Sequence, residues 1–239
     1  MKMKRYALYF TLIVLAICFS CKNEEAEKPK VIYEELPKSK DVLVKDTSQI
    51  VVADLPINLE GTNFLIHPVG VVAQKGKGFK TSSYAQEGFT VSNYGEFQIT
   101  GFLKNLKFQE IGKDSIYLLT DKPILIETAT YLKNLADKSK NQLLVYTLAD
   151  MDTNKDGKLD NSDIKSLYLS TVSGQKFTKL TQDFQELIDW KVIESKNLLY
   201  FRTLEDTNKN GEFDPRDKLH YYVVNLANNE WKINSYNPI

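Results

Sequence analysis

The sequence predicts a mainly-β fold whose C-terminal half is built from repeated four-stranded antiparallel units. Three observations lead there. A dodecamer, DTNKDGKLDNSD (Asp152–Asp163), returns as DTNKNGEFDPRD (Asp206–Asp217). The repeat extends beyond the dodecamer: with Asp152 set on Asp206, Tyr168 falls on Tyr222, Gly174 on Asn228 and Phe177 on Trp231. The flanking segments alternate apolar and polar residues between turn signals, the period of strands.

From the N-terminus, Lys2, Lys4 and Arg5 precede an apolar run, Tyr6–Phe19, that is too short to span a bilayer comfortably. Residues 1–20 therefore read as a signal peptide. Ser20 before Cys21, at the end of that run, resembles a bacterial lipobox, with Cys18 and Phe19 in place of the usual Leu and small residue. The resemblance implies lipidation of Cys21 and attachment to the bacterial outer membrane, on its periplasmic or surface face. Ordinary cleavage after Ser20 is the alternative. Loss of the leader also removes Cys18, so the mature chain keeps one cysteine and forms no intrachain disulfide.

KNEEAEKPK (Lys22–Lys30) is charged and lacks apolar bulk, so residues 21–49 are expected to be a flexible tether. Lys22 with Glu24 and Glu25 is similar to the export signal of Bacteroidota surface lipoproteins, interrupted here by Asn23.

Residues 50–239 form one β domain. NFLIHPVGVVA (Asn63–Ala73), GEFQITGFLKNLKFQEI (Gly95–Ile111) and SIYLLTD (Ser115–Asp121) read as strands. Thr128–Lys140 has the apolar spacing of a short helix, with Tyr131, Leu132 and Leu135 on one face. The repeat region, about 141–236, opens with NQLLVYTL (Asn141–Leu148), which resembles NLLYFRTL (Asn197–Leu204). SLYLSTVSGQKFTKLT (Ser166–Thr181) is a hairpin turning at Ser170–Gly174. Later strand pairs turn at Ser195–Asn197 and at Ala227–Asn229.

Four strands in a repeat of this length is the economy of a β-propeller blade. Leu167-Tyr168, Gly174, Lys179-Leu180-Thr181 and Trp190 stand in the order of TolB-type propeller repeats, and the resemblance covers about Gln142 to Tyr236. It implies propeller-like four-stranded antiparallel repeats. The chain has room for only three or four units, so a short stack or an incomplete propeller is expected rather than a full ring.

Within the dodecamers, oxygen-bearing side chains occupy alternate positions and a glycine follows. The first set is Asp152, Asn154, Asp156, Lys158 (through its carbonyl), Asp160 and Asp163; the second is Asp206, Asn208, Asn210, Glu212 (through its carbonyl), Asp214 and Asp217. This is the ligand order of an EF-hand loop, and it resembles the bacterial DxDxDGxxDxxD variety. Ca²⁺ is a hard cation that prefers six to eight oxygens, and a tight loop delivers them from alternate residues. Both loops end in Asp rather than a bidentate Glu, and Asn210 removes one charge from the second, so weak binding is expected, weaker in that copy. Acidic surface turns are the competing reading, since Asn-Lys-Asp-Gly is a good turn without metal.

Acidic and basic residues balance at 31 each, which leaves no basic surplus for nucleic acid. His67 and His220 lack partners at zinc spacing. QKGKGFK (Gln74–Lys80) reads as an exposed hairpin tip rather than a phosphate loop. No GxSxG elbow occurs, while Asp121, Glu127, Glu186, Asp189 and Glu194 remain as unassigned carboxylates. The reading that follows is a calcium-stabilised, non-catalytic envelope lipoprotein that binds an envelope protein or glycan. A hydrolase, or an accessory subunit of one, acting on envelope or extracellular polymers is the alternative.

Overall fold

The structure, a computed structural model, describes residues 28–33, 49–73, 90–228 and 230–239. The leader, Cys21, the Gln74–Lys80 tip and most of the expected tether lie outside the described residues.

The chain runs through β1 (Gln49–Ala53), β2 (Ile57–Asn58), β3 (Phe64–Ala73), β4 (Ser92–Gly95) and β5 (Gln98–Leu103). It continues through β6 (Asn105–Glu110), β7 (Ile116–Leu118), β8 (Leu125–Tyr131), helix α1 (Lys133–Ser139) and β9 (Leu143–Ala149). Then come β10 (Ser166–Thr171), β11 (Thr178–Lys179), β12 (Gln185–Ile193), β13 (Leu198–Glu205), β14 (Lys218–Asn225) and β15 (Ile233–Ser235).

Three sheets result, with orders β1-β3-β6-β7 (β2 also pairing β3), β11-β10-β9-β8-β5-β4, and β12-β13-β14-β15. Every described pairing is antiparallel. The mainly-β expectation holds in this form.

The second sheet is the middle layer. Leu144, Tyr146 and Leu148 of β9 belong to one core with Ile66, Leu106 and Phe108 of the first sheet. Leu143 and Val145 belong to another, with Leu199, Phe201 and Val224 of the third sheet. A strand covered on both sides is apolar at consecutive positions, which explains the run LLVYTLA in β9. β13 belongs to an outer layer and alternates: Leu199, Phe201 and Thr203 are buried, while Tyr200, Arg202 and Leu204 are only partly so.

Two local expectations change. The strand foreseen over Gly95–Ile111 is two strands, because the chain leaves the middle sheet at Lys104 and joins the first, where the Lys104 N–H donates to the Val69 carbonyl at 2.8 Å. The helix foreseen over Thr128–Lys140 is confined to Lys133–Ser139. Thr128–Tyr131 belongs to β8 and pairs with β9, since β-branched and aromatic residues suit a half-buried strand.

Four consecutive strands, β8 to β11, form a meander, and β12 to β15 form a second. Each carries one acidic dodecamer between its second and third strands. This is the placement that sets the candidate site.

Candidate functional site

Each loop is built by carboxylates and amides that accept backbone N–H groups of their own turn. In the first, Asp152 Oδ2 accepts from Gly157 N at 2.8 Å, Asn154 Oδ1 from Asp156 N at 3.0 Å and Asp156 Oδ1 from Lys158 N at 2.8 Å. Asp163 closes the loop, Oδ1 accepting from Thr153 N at 2.7 Å and Oδ2 from Asp160 N at 3.0 Å.

The second loop repeats this residue by residue. Asp206 accepts from Gly211 N at 2.7 Å, Asn208 from Asn210 N at 2.9 Å and Asn210 from Glu212 N at 2.8 Å. Asp217 closes it on Thr207 N at 3.3 Å and Asp214 N at 2.9 Å. Lys155 and Lys209 take the same left-handed backbone, at φ 57° and 56°. All twelve sequence-predicted positions thus fall in two loops of one design.

The copies differ in surroundings. Asp163 is buried in the first loop, and Asp206 in the second. Burial pushes the Asp163 carboxyl above its ordinary range, and the nearby charge of Asp152 adds to the effect, against the hydrogen bonds from the backbone. In the second loop Arg216 pairs with Asp214, which holds that carboxyl low through hydrogen bonding and charge. Leu159 anchors the first loop among Leu125 and Ala149.

Among the described residues, no three His, Cys, Asp or Glu side chains converge as a metal-holding group. A hard-cation loop does not require that: its donor set mixes carboxylates with Asn oxygens and a backbone carbonyl. Adjacent acidic side chains with one carboxylate buried fit a divalent cation, which offsets their mutual repulsion.

The structure adds a component absent from the sequence reading. Lys30–Tyr33, expected within the tether, lies between the two loops. Lys30 N donates to Ser162 O at 3.1 Å and Ile32 N to Thr153 O at 2.8 Å, both on the first loop. Val31 N, between them, donates to Gly211 O of the second loop at 3.1 Å. Thr153 Oγ1 returns a bond to Lys30 O at 2.9 Å. Val31 is 3% exposed. Tyr33 hydrogen-bonds Asp206 and meets the Phe184 ring in a tilted contact at 6.1 Å, and burial first, then the Asp206 charge, pushes its phenol up to about 12. The consecutive apolar residues Val31-Ile32-Tyr33 were the available signal, masked by charged neighbours.

A second region gathers three of the unassigned carboxylates. Glu127, Glu186 and Asp189 line a cleft of about 560 Å³ with Lys165 and Trp190. Lys165 Nζ pairs with Glu127 at 2.7 Å, and its backbone N–H donates to Glu186 at 2.6 Å. Burial pushes the Glu186 carboxyl up to about 7, and the Glu127 charge adds a smaller push. Asp189 is engaged by Arg202. Glu127, Glu186 and Asp189 come from β8 and β12, so folding alone brings them together. Of the histidines, His67 faces Gln109 at 3.1 Å and His220 faces Glu205 at 2.6 Å, neither in a zinc-like set.

No protein family, curated protein or solved structure matches the chain. No helix among the described residues is long and apolar enough to cross a membrane.

Proposed function

We propose that this protein is a calcium-binding lipoprotein of a bacterial envelope, a non-catalytic module anchored through Cys21 and stabilised by its two loops. The observation that carries the reading is the duplicated loop: the same donors, closing residue and left-handed turn recur between the second and third strands of two successive meanders. The two meanders correspond to propeller-like repeats, stacked rather than arranged around a full ring. In each loop the carboxylate and Asn oxygens, with the carbonyl of Lys158 or Glu212, would hold the ion. When bound, Ca²⁺ supplies charge neutralisation and cross-links the ends of neighbouring strands. The loops join strands rather than helices, so they clamp the fold and lack the groove-opening helix pair of a sensor. The sheet faces then serve an envelope protein or glycan partner.

The test is thermal unfolding with chelator and with millimolar Ca²⁺. An ion bound only by the folded state raises the midpoint by mass action. The expected dissociation constants are on the order of 10⁻⁴ to 10⁻³ M, those of extracellular modules. Identical melting in both conditions leaves the loops as plain turns.

The cleft supports the second reading, a hydrolase or its accessory subunit. Glu186, with its raised carboxyl, has the character of a general acid, beside a Glu127 that pairs with Lys165. Turnover of an envelope polysaccharide that is lost in Glu186→Gln would favour it over the binding module.

A further inference from the structure

We infer that residues 28–33 are a calcium-gated strap: their docking between the two loops couples the loops to each other and sets how far the domain stands from its anchor. The calcium clause rests on the function proposed above; the coupling rests on separate observations.

Successive amides of an extended segment point to opposite sides, and here both sides are filled. Lys30 and Ile32 donate to the first loop and Val31 to the second, so the segment is paired as a strand is between two neighbours. Lys30 also forms an antiparallel bridge with Glu212 of the second loop. The acceptors sit inside the dodecamers. Thr153 is the second residue of the first loop, and its N–H and hydroxyl both meet the closing carboxylate Asp163. Gly211 is the loop glycine, and its N–H is held by Asp206. A Cβ at Gly211 would lie 2.5 Å from Val31 O, so the strap exploits the bare backbone that the loop turn already demands. Tyr33 completes the contact on Asp206. Whatever orders Asp152–Asp163 and Asp206–Asp217 therefore orders the strap's acceptors, and a docked strap holds both loops in their closed form.

The consequence is a change of reach. An extended chain from Cys21 to Lys28 spans at most about 25 Å, while one from Cys21 to Gln49 spans up to about 100 Å. Docking holds the domain close to the anchored end, and release lets it stand off.

The experiment uses the chain from residue 21 onward, with Cys21→Ser to keep it in solution. Calcium binding is followed by titration calorimetry, and amide exchange at residues 30–32 by mass spectrometry, with chelator and with Ca²⁺. Calcium is expected to slow exchange at 30–32 at least about tenfold, from the local opening it suppresses. Val31→Asp, and independently Ile32→Pro at a 40% exposed position, is expected to abolish that protection and to weaken calcium binding by roughly fivefold or more, the ordinary scale of coupling between sites. Ile32→Pro removes the strap's N–H to Thr153 O and changes no residue of a loop or a sheet, and its protection is read at residues 30 and 31. Absence of any calcium binding overturns the calcium reading and the gating with it. Calcium binding that is equally tight in both variants, with exchange at 30–32 unchanged by the ion, overturns the strap alone.

Discussion

Gly174 turns the β10–β11 hairpin at φ +75°, and an ideal Cβ there would lie 2.5 Å from the Phe108 ring. Gly174→Ala combines a left-handed backbone penalty with overpacking and is expected to cost about 2–4 kcal/mol in urea unfolding. In the loops, Asp152→Ala is expected to remove most of the calcium-induced rise in melting midpoint, and more of it than Asp206→Ala, because the first loop carries Asp156 where the second has Asn210. Melting curves of both variants with and without Ca²⁺ check the order. Glu186 makes a pH prediction. Its folded-state pKa, about 7, stands above its ordinary value of 4.5. The folded state therefore binds the proton more tightly, and the associated stability is full below pH 4.5 and is lost as pH rises through 7. Glu186→Gln should flatten that dependence, leaving the variant relatively more stable at pH 8 by up to about 3 kcal/mol. Denaturant midpoints at pH 5 and pH 8 test it; an unaltered pH profile in the variant refutes it.

At the scale of elements, strand alternation makes a contrast between neighbours. Phe201 of β13 is 1% exposed and stacks on Tyr222, whereas Tyr200 faces outward. Phe201→Ala is expected to cost about 3–5 kcal/mol, as aromatic core truncations do. Tyr200→Ala should cost well under half of that, with chemical denaturation as the readout. The strands of the repeat were legible because period-two patterning and turn residues agree over Asn141–Tyr236. The dodecamers were legible because the bonds that shape each turn are local: the Asp and Asn side chains accept backbone N–H groups of their own dodecamer. What was lost is non-local. Tyr131 and Leu132 share helical spacing with Leu135, yet pairing with β9 decides for strand up to Tyr131. Lys104 marks a change of sheet that no periodicity records. Glu127 and Glu186 share a cleft only because Lys165, remote from both in sequence, bonds one through its side chain and the other through its backbone N–H. The strap's acceptors at Thr153 and Gly211 are remote in sequence from Val31, and its charged flanks read as solvated linker.

At the scale of the whole molecule, the proposed anchor makes the simplest prediction. In its native type of cell the protein should partition into detergent and take up labelled fatty acid, and Cys21→Ala should abolish both. A soluble, unacylated wild-type chain starting at Cys21 would overturn the anchor. The strap also orders events in time. Val31 waits for Gly211, so one of the earliest described segments of the chain is not fully paired until nearly all the rest has been made. Contacts this distant in sequence form late, after local hairpins have assembled. Refolding should therefore end in a strap-closing phase that Ile32→Pro eliminates while the sheets still form at their usual rate. In a chain that leaves the ribosome N-terminus first, residues 28–33 stay incompletely fastened until the second loop has been made. Under the proposed anchoring, enzymes acting at Cys21 would meet an open end, and the finished domain would fasten it only afterwards.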